Sequence, residues 1–68
     1  MTWTVDSTNR RERDYPDGCY GHVSNGTKIA IWSLWGPGDE SSEIATGHER
    51  SQEAAQVACD QAHARRRA

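Results

Sequence analysis

Residues 51–66, SQEAAQVACDQAHARR, have the pattern of an amphipathic helix and decide the fold of this chain. At 3.6 residues per turn, small apolar side chains fall on one stripe. This stripe contains Ala54, Ala55, Ala58, Cys59 and Ala62. Ser51 is a favourable N-cap, and the arginines at the other end suit the negative pole of the helix. Because an alanine stripe buries little area but permits close approach, we expect the helix to lie against a sheet with larger side chains.

The composition is that of one small domain with a net acidic charge. The chain has 68 residues, a net charge of −2 and 34% hydrophobic residues, with three tryptophans and two tyrosines concentrating its apolar area. A nucleic-acid-binding domain is usually basic overall or on one face, and this chain is not basic overall. No segment is apolar enough for a membrane span or a secretory signal, so we expect a cytoplasmic protein. In that compartment Cys19 and Cys59 are expected to be thiols.

Three strands are predicted before the helix. Asn25-Gly26 is the preferred dipeptide of a two-residue hairpin turn, and it lies between the strand-like segments 19–24 and 27–35. This turn sets Tyr20 opposite Ile31. A third strand is expected at about residues 42–47, where apolar and polar residues alternate. The predicted fold class is therefore α+β, a three-stranded antiparallel meander packed on one C-terminal helix (βββα).

The beginning of the chain has less regular patterning. Residues 2–5, TWTV, alternate and predict a possible extra N-terminal strand. The polar stretch that follows, DSTNRRERDY at 6–15, has no apolar period and is typical of a linker. The turn sequence YPDG at 15–18 favours the start of ordered structure. We therefore predict a flexible N-terminal segment, 1–14, and a single βββα domain, 15–66.

One helix covers only one face of a sheet, yet the second predicted strand is apolar on both faces. The uncovered face is expected to present five residues: Tyr20, His22, Ile29, Ile31 and Trp35. Three arrangements are open: Trp3 and Val5 fold back over this face, a second copy of the chain covers it, or it binds a partner. Under the third arrangement the five residues form a partner-binding site, because aromatic side chains tend to dominate interface energetics.

The sequence GHERSQEAAQVACDQA, at 47–62 after the predicted strands, resembles two groups of proteins. The first comprises the strand-strand-strand-helix modules of plant ethylene-response-factor DNA-binding domains and of the N-terminal domains of some phage integrases. The second comprises small orphan proteins of actinobacteriophages. The likeness covers about residues 19–64, and it implies a phage-encoded protein with a regulatory role in the host cell cytoplasm.

The resemblance and the residues together give two functional hypotheses. The DNA-binding modules carry arginines on the sheet face away from the helix, whereas Lys28 is the only cation in the three predicted strands. The leading hypothesis is a non-enzymatic module, monomeric or homodimeric, that binds a host or phage protein through the open sheet face. The alternative is a DNA-binding accessory or regulatory protein that uses the sheet and the basic residues Lys28, Arg65, Arg66 and Arg67.

Metal binding and catalysis are not predicted. The chain does contain the ligand types of a tetrahedral zinc site: Cys19, His22, Cys59 and His63. However, residues three apart on a regular strand point to opposite faces, which separates Cys19 from His22. The acidic run at 39–43 is typical of a solvated edge, and the chain has neither a phosphate-binding glycine loop nor a nucleophile motif. We therefore expect no metal, no cofactor and no enzymatic activity.

Overall fold

The computed structural model describes residues 3–36 and 43–67, except for the side chains of residues 66 and 67. In these ranges the chain forms one five-stranded antiparallel sheet and a C-terminal helix. The elements are β1 (Thr4–Val5), β2 (Arg11–Asp14), β3 (Tyr20–Val23), β4 (Ala30–Trp35), β5 (Glu43–Glu49) and α1 (Gln52–Arg67). The strands lie side by side in chain order, with β1 and β5 at the edges. The small domain and the antiparallel sheet are as predicted.

The predicted three-stranded meander is wrong in its number of strands. The α+β class holds, but β1 and β2 add two strands to the sheet, and β2 comes from the polar stretch that was assigned to a linker. Arg11 lies opposite Val23 and Glu12 lies opposite His22. The stretch lacks apolar alternation because its strand is charged on both faces. Whether residues 1–14 move independently of the rest stays a prediction.

A side-chain turn joins β1 to β2. The carboxylate of Asp6 accepts hydrogen bonds from the backbone N–H and the hydroxyl of Thr8, both at 2.8 Å, and from the backbone N–H of Arg10 at 3.0 Å. Asn9 takes a left-handed conformation, with φ of 64°, which asparagine tolerates better than most residues. These bonds to Thr8 and Arg10 lower the pKa of Asp6. The turn is therefore specified by local polar chemistry rather than by a Gly or Pro signal.

The register between β3 and β4 also differs from the prediction. Tyr20 lies opposite Trp35 rather than Ile31, so the pairing is shifted by four residues. Asn25-Gly26 is not a two-residue turn but part of a longer loop, which Ser24 closes by accepting a hydrogen bond from the backbone N–H of Ile31 on its hydroxyl at 3.0 Å. Because four is an even number, each side chain stays on its predicted face.

The core lies between the sheet and α1. Its buried apolar residues are Tyr15, Cys19, Val23, Ala30, Trp32, Leu34, Ala55, Cys59 and Ala62. Of the predicted helix stripe, Ala54 is exposed and Ala58 is half-buried, while the other three members are buried. Close approach at β5 depends on a glycine, because a Cβ at Gly47 would lie 2.8 Å from Nε1 of Trp32.

The N-terminus of α1 is fixed by its cap and by the residue after it. The Ser51 hydroxyl accepts a hydrogen bond from the backbone N–H of Ala54 at 3.1 Å, which confirms the predicted N-cap. Gln52 is buried and donates hydrogen bonds to the carbonyls of Asn9 at 2.6 Å and Ser24 at 3.1 Å. Gln52 therefore holds the β1–β2 turn and the β3–β4 loop at the same end of the helix. Within the described ranges, α1 is the only helix, and it is neither long nor apolar enough to cross a membrane.

A second set of contacts joins the N-terminal strands to the middle of α1. The carboxylate of Asp60 accepts hydrogen bonds from the Tyr15 hydroxyl at 2.7 Å, from Arg13 at 2.9 Å and from the indole N–H of Trp3 at 3.3 Å. Trp3 therefore lies on the helix side of the sheet. Of the three arrangements left open by the sequence, the one in which Trp3 and Val5 cover the opposite face is therefore excluded, because Asp60 of the helix holds Trp3 on the other side.

We expect Asp60→Ala to lower the free energy of unfolding by about 2 kcal/mol, because three partly buried donors lose a charged acceptor. The loss is smaller than for a buried ion pair, since the Asp60 side chain is 37% exposed. Gln61→Ala, at an exposed position on the same helix, is the matched control and should change stability by less than about 0.5 kcal/mol. Urea denaturation followed by tryptophan fluorescence measures both values. Equal stability of the two variants would show that the N-terminal strands do not depend on Asp60.

Candidate interaction surface

The sheet face away from α1, called the open face from here on, carries the predicted partner-binding residues. Strand alternation and the observed pairing place Tyr20 and His22 of β3 beside Trp35 and Ser33 of β4 on this face. Ile31 follows on the same side of β4, opposite His48 of β5. The structure therefore brings the five predicted residues onto one face, although in a register different from the predicted one.

The most exposed apolar part of the open face is a shallow groove beside β4 and β5. Ile29 is 60% exposed and Ile31 is 53% exposed. Together with Thr46, Gly47 and His48 they line a cavity of about 390 Å³ that opens widely to solvent. The β5 residues were not predicted as part of the site, because the sequence indicated a third strand without assigning its residues to a face or to neighbours in β4. The groove offers a concave apolar anchor point next to hydrogen-bonding side chains.

The part of the open face beside β2 is more acidic and better hydrogen-bonded. The Tyr20 hydroxyl donates a hydrogen bond of 2.7 Å to the Glu12 carboxylate. Partial burial, with the nearby Glu12 charge, raises the pKa of Tyr20, so the phenol stays protonated and remains a donor. Trp35 is half-buried, whereas Asp14 is exposed and lies opposite Tyr20. The aromatic residues thus lie side by side, with carboxylates next to Tyr20.

Strand alternation places the two acids and the two arginines of β2 on opposite faces of the sheet. Glu12 and Asp14 face the open side, opposite His22 and Tyr20. Arg11 and Arg13, the only Lys or Arg residues in the five described strands, face the helix. Arg13 pairs with Asp60 at 2.9 Å, and Arg11 lies 3.5 Å from a carboxylate oxygen of Glu53. At β5, Glu43 is exposed and lies opposite Trp35. The described strands therefore give the open face an acidic rim.

Of the residues predicted for nucleic-acid contact, Lys28 and Arg65 have described side chains, and these lie in different parts of the fold. Lys28 is exposed in the loop between β3 and β4, rather than in a strand. At the beginning of this loop, the Ser24 carbonyl accepts a hydrogen bond from Gln52 at the start of α1. Arg65 is exposed thirteen residues after Gln52, about 20 Å further along the helix axis at 1.5 Å per residue. Arg66 and Arg67 belong to the last turn of α1, and their side chains lie outside the described part of the structure. Lys28 and Arg65 therefore do not form one patch.

A separate polar cluster lies where the 15–18 turn meets the end of α1. His63 Nε2 is 2.9 Å from Asp17 Oδ2, and the His63 ring stacks on Tyr15 with centroids 3.9 Å apart. The other carboxylate oxygen of Asp17 accepts a hydrogen bond from the backbone N–H of Cys19 at 3.1 Å. One ligand-type atom from each of Asp17, Cys19 and His63 lies within 4.8 Å of the others. Sequence spacing did not reveal this cluster, because Asp17 and His63 are 46 residues apart.

Of the four residues considered as zinc ligands from the sequence, Cys19 and His63 come together, whereas His22 and Cys59 do not join them. His22 lies on the open face, while Cys19 and Cys59 are buried on the helix side as thiols rather than a disulfide. Cys59 donates to the carbonyl of Ser33 at 3.7 Å and lies 3.5 Å from the Tyr15 hydroxyl. Burial raises the pKa of the Cys59 thiol, which keeps it protonated and weakly nucleophilic.

No known protein family, curated protein or solved structure matches this chain. The resemblance to DNA-binding modules and to actinobacteriophage proteins therefore stays a prediction.

The Asp17 contacts predict a specific acid dependence of stability. The backbone N–H of Cys19 and the side chain of His63 lower the pKa of Asp17 from 3.8 to about 2, against the opposing effect of desolvation. Because the pKa is lower in the folded state, the resulting stabilisation is complete above about pH 4 and is lost as the pH falls through 2. We expect Asp17→Asn to reduce the slope of unfolding free energy against pH between 4 and 2, as measured by urea denaturation.

Cys19→Ala is the comparison variant, because it retains the backbone N–H that is the largest cause of the lowered pKa and removes only the smaller contribution of the Cys19 side chain. This variant should keep most of the slope even though it loses stability through its smaller side chain. An unchanged slope in Asp17→Asn would contradict the assignment.

Proposed function

We propose that this protein is a non-enzymatic interaction module that binds another protein through its open face. The observation that carries the proposal is the exposure of Ile29 and Ile31 on a sheet that the helix covers on one side only. Isolated exposed apolar residues are common, but these two line a groove and lie on the same face as Tyr20 and Trp35. Aromatic anchors beside a groove are typical of residues that dominate binding energy.

The charge distribution indicates what the partner looks like. Glu12, Asp14 and Glu43 border the apolar surface, while Arg11 and Arg13 are turned towards the helix. A complementary partner therefore presents an apolar side chain to the groove and Lys or Arg residues to the rim. Such complementarity contributes mainly to association rate and specificity, and it makes binding sensitive to salt.

The same charge distribution disfavours a second copy of the chain and duplex DNA as partners of the open face. Two copies packed through this face would bring like-charged rims together, which disfavours a homodimer. Duplex DNA needs cations on the contact face to neutralise phosphates, and the described strand residues place none there. A regulatory role, a phage origin and a location in the host cytoplasm rest on the sequence and its resemblance alone.

The proposal is tested by site-specific photocrosslinking in cells that produce the protein. A photoreactive amino acid at position 31 should capture a partner, because Ile31 lies in the groove. The matched control position is Val57, which is 54% exposed on α1 and therefore presents a similar apolar side chain away from the open face. Crosslinks specific to position 31, to a partner with a basic surface, support the proposal. Crosslinks only between copies of the chain, or equal patterns at both positions, would contradict it.

Affinity measurements on the identified partner then give the size of the effect. We expect Ile31→Ala to weaken binding about tenfold, since it removes roughly 1–2 kcal/mol of apolar contact. Val57→Ala should leave the dissociation constant unchanged. Both positions are exposed, so both variants should fold normally, which circular dichroism checks. Binding should also weaken as salt is raised, because the rim attraction is screened.

A further inference from the structure

We propose that Asp17, Cys19 and His63 form a binding site for one Zn²⁺ ion, on the helix side of the sheet and separate from the open face. The three residues supply carboxylate, thiolate and imidazole donors, which are the ligand types that zinc takes in proteins. Two come from the turn before β3 and the third from the last part of α1. An ion bound there would join the turn to the helix.

The distances between the donor atoms fit one ion after a small adjustment. One donor atom of each residue lies within 4.8 Å of the others, and His63 Nε2 is 2.9 Å from Asp17 Oδ2. With zinc bonds of about 2.0 to 2.3 Å, ligand atoms of a tetrahedral site are separated by about 3.3 to 3.7 Å. Placing the ion therefore requires the imidazole and the carboxylate to part by roughly half an ångström, and donor atoms as far apart as 4.8 Å to approach by about one ångström.

Contacts with neighbouring groups orient the imidazole and the carboxylate. Tyr15 stacks against His63 with an interplanar angle of 16°, which fixes the plane of the imidazole. The Cys19 backbone N–H binds Oδ1 of Asp17, which leaves Oδ2 directed at His63. Gly18, with φ of 92°, allows the chain to turn between the two ligands. Such outer contacts orient ligands and affect metal affinity.

The charge and solvent access of the site also suit a divalent ion. Binding displaces the proton of the Cys19 thiol to solvent, and His63 coordinates as a neutral imidazole through Nε2. The carboxylate and the thiolate then balance the two positive charges of zinc. Cys19 and His63 are buried, whereas the Asp17 side chain is 29% exposed, so water reaches the site from the Asp17 side and can supply the fourth ligand.

The test uses the full-length chain with its thiols reduced and Co²⁺ as the spectroscopic probe, followed by competition with Zn²⁺. We expect one Co²⁺ per chain, visible d–d bands of tetrahedral coordination and a thiolate-to-cobalt charge-transfer band that Zn²⁺ abolishes. Cys19→Ala should remove the charge-transfer band. Asp17→Asn and His63→Gln should each weaken binding by at least the 10–100-fold that loss of an outer-shell partner causes.

Two matched controls separate the site from other thiols and imidazoles. Cys59→Ala removes the other buried cysteine, and His48→Gln removes an exposed histidine of the open face. Both should retain the charge-transfer band and the affinity of the original chain. Asp17→Asn is the variant least prone to unfold, because its side chain is partly exposed, and near-ultraviolet circular dichroism verifies its fold. Absence of Co²⁺ and Zn²⁺ binding to the original chain, or an unchanged charge-transfer band in folded Cys19→Ala, would overturn the proposal.

Discussion

The hydrogen bonds to one helix carboxylate, Asp60, hold the N-terminal third of the chain to the rest. Trp3, Arg13 and Tyr15 come from β1, β2 and the turn that follows, and each donates to that carboxylate. Tyr15 in turn stacks on His63, one helical turn further along α1. Asp60 therefore fixes how β1 and β2, which pair with β3 through the backbone, sit against the helix, and through Tyr15 it contributes to the orientation of the His63 ring beside Asp17.

This dependence follows from the small size of the apolar core. The largest fully buried side chains are Leu34, Val23, Cys19 and Cys59, and alanines supply much of the helix stripe. Apolar burial alone gives limited stability in a chain of this length. Polar contacts at the start and in the middle of α1 supplement it: Gln52 binds two backbone carbonyls, and Asp60 accepts from three donors. These hydrogen bonds are partly buried, so removing one partner lowers the free energy of unfolding by more than removing a hydrogen bond at the surface would.

The sequence predicted features whose signals are local. Helix periodicity and the Ser51 cap located α1, and alternation assigned the faces of β3 and β4. It did not predict β2, because strand prediction relies on apolar alternation. The helix-facing residues of β2 are instead Arg11 and Arg13, which pair with acidic residues of α1. Nor did the sequence predict the register at Asn25-Gly26. Pairing Val23 with Trp32 and closing the loop through Ser24 outweighed the preference of that dipeptide for a tight turn.

The same limit explains which parts of the candidate sites were found. The apolar members of the open face follow from strand alternation, so they were predicted, whereas the acidic rim depends on β2, which was not. The Asp17–His63 contact links a turn to a helix across 46 positions, and only the folded topology brings the two together. Alternation in β2 sends its arginines to the helix and its acids to the opposite face. One four-residue strand thus stabilises the fold with one side and sets the charge of the interaction surface with the other, so the open face keeps its apolar and acidic character without carrying the main packing of the domain.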